Sequence, residues 1–295
     1  MTLPRRALLL GSLAACSRKT PPPSTTLAPE GYDLHDWSFA GNDAAGGSER
    51  AVVLVPRAMG LFPVLVALHG RGEAVRGAEA GAYGWVKDYL VGNALVALHR
   101  GRLTEADLLR QVAPARLTEL NEGLARAPFR GVILVCPHAP DVPGAGRDGA
   151  TERYGAWIAD RLLPRLRGAF PVGEGVGIDG VSMGGRMALR IGLARPRDFA
   201  AVGSLQAAIR GEDAAGLVAQ AKAYREGRPG GKIRLVTSDG DYFREAVGQA
   251  HQALTQAGVA HEFFEAVGPH NYQFNQGPGA IEMLLWHDRA LRGAS

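Results

Sequence analysis

From residue 32 onward, apolar residues fall into short runs separated by longer amphipathic stretches. Residues 32–40 and 50–56 predict two antiparallel strands about the loop GNDAAGGS. Residues 61–68 are almost continuously apolar and predict a strand buried on both faces. Further short apolar runs follow at 131–136, 176–181, 201–206, 232–237 and 260–266. Between them, helical spacing covers 151–170, 184–195, 214–226, 241–258 and 279–291. Short buried strands alternating with amphipathic helices predict an α/β fold. Its sheet is mostly parallel, has helices on both faces, and carries antiparallel strands at the N-terminal edge.

One stretch breaks the alternation. Residues 82–128 contain no strand-like run. Trp85, Tyr89, Leu95, Leu98, Leu103, Leu108, Leu109, Leu117, Leu120 and Leu124 recur there at roughly helical spacing. An apolar stripe at that spacing is usually core, which predicts extra helices packed on the sheet. The alternative is a helical insertion forming a partial cap over a site.

Composition narrows the class. The chain is 46% hydrophobic, enough for a large core, and residues 31–295 fit one sizeable α/β domain. The formal net charge is +4, and the basic residues are scattered without an aromatic-interleaved stripe, so nucleic acid is not an expected partner. Cys16 and Cys136 are the two cysteines. Cys136 lies in an apolar run and reads as a buried, inert thiol. No cysteine–histidine cluster has zinc-site spacing, and neither metal nor organic cofactor is expected.

The first 15 residues read as a signal segment outside the fold. Arg5 and Arg6 precede an apolar stretch, 7–15, too short to span a bilayer as a helix. It ends in Leu13-Ala14-Ala15-Cys16, which resembles a bacterial lipobox. That resemblance implies cleavage before Cys16 and a diacylglycerol on its sulfur, and hence a periplasmic or outer-membrane lipoprotein anchored to the membrane. An ordinary secretory signal, giving a secreted protein, is the alternative. Residues 16–30 are rich in Pro, Ser and Thr and read as a tether.

The chemistry centres on Gly180-Val181-Ser182-Met183-Gly184. A lone match to GxSxG is weak. Here it joins a buried strand to a helix, and a serine on that sharp turn is a nucleophile elbow. A serine hydroxyl needs a base, and the base needs an acid to fix its tautomer. Elbow enzymes carry these in chain order after Ser, in loops that follow strands. His270 fits in Gly268-Pro269-His270, whereas His69 and His138 sit at strand ends before Ser182 and His251, His261 and His287 lie within elements. Two acids, Asp239 and Asp241, fit the preceding loop, and Asp241 could instead cap the following helix. Backbone amides of Met183, after the nucleophile, and of Arg71, after His69-Gly70, are the expected oxyanion donors.

These segments resemble the esterase D, S-formylglutathione hydrolase and feruloyl-esterase-like branch of the α/β-hydrolase superfamily. The resemblance rests on the strand ending in His69-Gly70, the elbow GVSMGG, the segment Arg195-Pro196-Arg197-Asp198-Phe199 and the loop Gly268-Pro269-His270. It implies an α/β-hydrolase fold and ester hydrolysis. The branch's G-x-x-D-x-F loop matches Ser238 to Phe243 with Ser in place of Gly, and this alignment selects Asp241 as the acid. Residues 82–128 depart from the branch. The expected activity is serine-dependent hydrolysis of small-molecule carboxylic esters through Ser182, His270, Asp241 and an acyl-enzyme. An acyltransferase, a small-peptide serine hydrolase and a non-catalytic binding lipoprotein are the alternatives.

Overall fold

The computed structural model describes residues 27–39, 50–142 and 149–292. The signal segment, Cys16 and nearly all of the tether lie outside them. Eight strands form one sheet in the order β1-β2-β4-β3-β5-β6-β7-β8. They are β1 (Tyr32–Ser38), β2 (Arg50–Pro56), β3 (Phe62–Leu68), β4 (Ile133–Pro137), β5 (Val172–Gly180), β6 (Ala201–Leu205), β7 (Lys232–Gly240) and β8 (Glu262–Pro269). β2 runs antiparallel to both β1 and β4, and the pairings from β4 through β3 to β8 are parallel. This is the mostly parallel sheet the pattern predicts, with its antiparallel part at the N-terminal edge.

The helices are α1 (Arg71–Ala74), α2 (Gly77–Gly81), α3 (Val91–His99), α4 (Pro114–Arg126), α5 (Ala150–Trp157), α6 (Leu163–Ala169), α7 (Met183–Ala194), α8 (Ala214–Gly227), α9 (Arg244–Gln256), α10 (Tyr272–Phe274) and α11 (Ala280–Arg292). The helix predicted over 151–170 is interrupted by a wide π turn at Ile158–Leu162, just before Pro164. Proline has no N–H to return to the preceding turn, so the backbone widens there.

The continuous apolar run of β3 is two alternating sets. Val64, Val66 and Leu68 join one core cluster with Tyr154, Leu166, Met187, Ile191, Tyr224 and Leu254 from α5 to α9. Leu65 and Ala67 join the other with Trp85, Leu95, Leu98, Leu124, Ile281 and Leu284. Residues 82–128 thus supply much of the helical layer on the second face, together with α11. Trp85 is fully buried and Tyr89 2% exposed. Arg116 of α4 and Arg234 of β7 both bind the Glu282 carboxylate of α11, at 2.8 and 2.6 Å, tying that layer to the sheet. Cys136 is buried in the same cluster, and burial pushes its thiol well above the usual range.

Candidate active site

Ser182 lies between β5 and α7 with φ 57° and ψ −117°, a left-handed conformation that is costly for a residue with a Cβ. The turn is held from both sides. Its N–H donates to Leu205 O at 3.0 Å, and its carbonyl accepts from Ala208 N at 2.9 Å and Arg186 N at 3.0 Å. The flanking glycines are sterically required. A Cβ on Gly184 would lie 2.4 Å from the carbonyl oxygens of both Leu68 and His69, and one on Gly180 would lie 2.6 Å from Gly184 C. β5, β3 and α7 therefore meet backbone to backbone, and the serine is thrust out of the turn. As the residue before a twelve-residue helix, it also stands where the helix dipole favours negative charge.

The candidate acid–base pair comes from the ends of the last two parallel strands, β7 and β8. Asp241 ends up just past β7 and His270 just past β8. His270 Nδ1 donates to Asp241 Oδ1 at 2.7 Å, with the Asp241 side chain fully buried and that of His270 14% exposed. Thr237 Oγ1 donates to Asp241 Oδ2 at 2.7 Å and Phe243 N to Oδ1 at 3.0 Å. Three donors converge on one carboxylate, which fixes it as an acceptor and places the imidazole proton on Nδ1, leaving Nε2 basic. Asp241 does not cap α9, which begins at Arg244 after Phe243. Asp239 is exposed and accepts the Gly268 N–H at 2.8 Å, pinning the turn that leads to His270.

Ser182 and His270 are brought to the same edge of the sheet. Gln206, directly after the Leu205 that anchors the serine, donates to Ser238 Oγ at 2.6 Å and to Pro269 O at 3.3 Å. One amide thus ties the segment after β6 to the ends of β7 and β8. No hydrogen bond joins His270 Nε2 to Ser182 Oγ among the described residues. Such bonds commonly tighten only when substrate is bound. Phe243 meets the His270 ring edge-on at 5.5 Å, and Tyr242, 80% exposed, lies tilted at 5.1 Å.

The loop after β3 borders the serine from the other side. A methyl group built on Gly70 would lie 3.9 Å from Ser182 Cβ. Met183 N opens α7, and Arg71 N opens α1, so both expected oxyanion donors sit at helix starts beside the nucleophile. The Arg71 side chain turns away to Asp141, at 2.8 Å. His69 shapes this loop and takes no part in acid–base work. Its Nε2 accepts Ala139 N at 2.9 Å and its Nδ1 donates to Gly70 O at 2.9 Å. Burial lowers its pKa to about 3.

Sequence reasoning missed the side chains that hold the loops: Thr237 and Gln206 around the acid and histidine, and Glu73 and Tyr272 around the oxyanion loop. Only Tyr272, two residues past His270, carried a positional signal. No sequence signal singles out Glu73, which is 1% exposed.

Residues 137–274 match the Esterase family model, a span that contains Ser182, Asp241 and His270. The chain is an ester hydrolase of the α/β-hydrolase fold. Among solved structures it resembles a ferulic acid esterase (18% identity, TM-score 0.60, covering 88% of this chain and 98% of that one). It also resembles an S-formylglutathione hydrolase from Staphylococcus aureus (13%, 0.57, 87% and 98%) and the enterobactin esterase of Shigella flexneri (18%, 0.58, 90% and 61%). At these identities the likeness is one of fold. No curated protein matches the sequence.

Proposed function

We propose that this esterase works through Ser182, His270 and Asp241 and an acyl-enzyme. His270 Nε2 takes the proton from Ser182 as Oγ attacks the ester carbonyl. The developing oxyanion is received by the N–H groups of Met183 and Arg71. His270 then passes its proton to the departing alkoxide, and a water activated by the same nitrogen releases the acid. The observation that carries this reading is the buried Asp241–His270 pair, 2.7 Å apart, at the sheet edge where Ser182 is held in a left-handed turn.

The three structural neighbours are a ferulic acid esterase, an S-formylglutathione hydrolase and an enterobactin esterase. A small-molecule ester is the substrate class assigned to this chain, in line with its match to the Esterase family model. On the strength of Leu13-Ala14-Ala15-Cys16, the enzyme is placed at the bacterial envelope, lipid-anchored through Cys16.

The reading is tested by labelling with a fluorophosphonate and by hydrolysis of p-nitrophenyl esters of graded acyl length. Wild type should be labelled, and Ser182→Ala should lose both labelling and nearly all turnover. Full turnover by Ser182→Ala would overturn the assignment. Adding an alcohol acceptor and analysing products separates hydrolysis from acyl transfer.

A further inference from the structure

We infer that Glu73 is a positioning residue that locks the oxyanion loop to the histidine loop through two tyrosine hydroxyls, Tyr89 and Tyr272. This inference rests on the serine-esterase reading above.

The contacts form a closed chain. Gly70 N donates to Tyr89 Oη at 3.0 Å, and Tyr89 Oη donates to Glu73 Oε2. Tyr272 Oη donates to the other oxygen, Glu73 Oε1, at 2.8 Å. Gly70 immediately precedes Arg71, whose amide is the second oxyanion donor. Tyr272 follows His270 by two residues. One carboxylate therefore fixes the register between the two groups that must act on the same carbonyl. Neither is held by a strand-to-strand contact, because β3 and β8 lie at separate positions in the sheet with β5, β6 and β7 between them.

The packing leaves this carboxylate little freedom. A methyl group on Gly84 would lie 2.7 Å from Glu73 Cγ, one on Gly81 would lie 2.5 Å from Glu73 O, and one on Gly72 would lie 3.3 Å from Tyr272 Oη. A single methyl probe at Gly70 would touch Tyr89 Oη at 3.1 Å, Glu73 Oε2 at 3.3 Å and Ser182 Cβ at 3.9 Å. The acid is thus built into the wall beside the nucleophile. Its nearest cation, Arg76, is 3.6 Å away and is itself paired with Asp88. An apolar side chain would fill the same space without the cost of burying a charge. What it could not do is hold two hydroxyls from two loops.

The geometry also gives residues 82–128 a part in the chemistry. Tyr89 belongs to that stretch, and Asp88 O accepts Gln276 Nε2 at 2.8 Å on the far side of the same histidine loop. Trp85 and Tyr89 are buried, so their part in this site is to brace it.

The test compares wild type, Tyr272→Phe, Tyr89→Phe and Glu73→Gln. Active sites are counted by fluorophosphonate titration, kcat is expressed per active site, and affinity for phenylboronic acid, which forms a tetrahedral adduct on the serine, is measured alongside. Tyr272 is 48% exposed, so its phenylalanine variant keeps the fold. The expected result is a fall in kcat on the order of 10- to 100-fold in Tyr272→Phe and Glu73→Gln, with KM nearly unchanged. Boronate affinity should fall in parallel with kcat/KM. A merely structural role would lower the melting temperature and the titratable fraction while kcat per site stayed at the wild-type value, and that result overturns the inference. If Glu73→Gln fails to fold, the two tyrosine variants decide. Labelled wild type with unchanged variants sinks this inference alone, whereas unlabelled wild type sinks the serine-esterase reading with it.

Discussion

Ser182 occupies a backbone conformation that its own side chain disfavours, and the glycines around it absorb the difference. Gly184→Ala places a Cβ 2.4 Å from two carbonyl oxygens of the neighbouring strand. That contact cannot relax by a rotamer change, so a loss of about 1–3 kcal/mol in stability or more is expected, read as a lower melting temperature and reduced fluorophosphonate labelling. The two acids after β7 separate just as sharply. Asp241→Asn keeps the shape of the buried pair but lets His270 hold the wrong tautomer, a change expected to lower turnover on the order of 10⁴-fold. Asp239→Asn keeps an acceptor for Gly268 N–H and should cost less than about 1 kcal/mol with turnover little affected. Steady-state kinetics on both folded variants checks this, and greater damage from Asp239→Asn would reverse the assignment. His270→Ala should lose about as much turnover as Ser182→Ala, and the double variant should lose no more, because the pair acts as a unit.

At the scale of elements, central strands such as β3 and β4 were readable because each is an apolar run bounded by breakers, buried on both faces, whereas the edge strands β1 and β8 mix in charged residues. Helix ends were less readable. The 151–170 stretch has an unbroken helical pattern, but Pro164 forces a π turn that periodicity does not reveal. Residues 82–128 read as helical from their stripe, yet which face they cover depends on partners far away in sequence. Among these the Arg116–Glu282–Arg234 cluster is testable. Burial raises the Glu282 carboxyl, but the Arg234 and Arg116 guanidinia more than offset it, so it is held below its usual range. A carboxyl depressed in the folded state contributes stability that is fully present above the unfolded value, about 4.3, and is lost as pH falls through the lower folded value. Glu282→Gln should therefore be less stable than wild type at neutral pH, with the gap closing in acid. Glu282→Ala, which leaves a 5% exposed Arg234 without its carboxylate, should cost about 3–5 kcal/mol by urea unfolding. A constant gap across pH would show that the cluster contributes through packing alone.

For the whole molecule, the sheet edge that carries the loops after β3, β5, β7 and β8 gathers all the proposed catalytic groups. No helix among the described residues is long and apolar enough to cross a membrane. The proposed lipid anchor rests on Cys16 alone, outside the described residues. Cys16→Ala expressed in a bacterial host should move the protein from the membrane fraction to the soluble or secreted one. Persistence of the variant in membranes, with wild type unprocessed, would remove the lipid-anchor proposal.

The sequence by itself determined the α/β class and picked out Ser182 and His270 as candidates, because each is written in local signals: apolar runs, glycines that a tight turn demands, and a loop after a strand. It narrowed the acid to Asp239 or Asp241, and the family resemblance favoured Asp241. Only the tertiary structure supplied the physical reason, since burial and three converging donors act on Asp241 while Asp239 faces solvent. Only the tertiary structure, too, makes Glu73 the buried link between Tyr89 and Tyr272. Its partners lie 16 and 199 residues away. A hydrogen bond across that separation is fixed by how the sheet orders its strands, which no local pattern in the chain records.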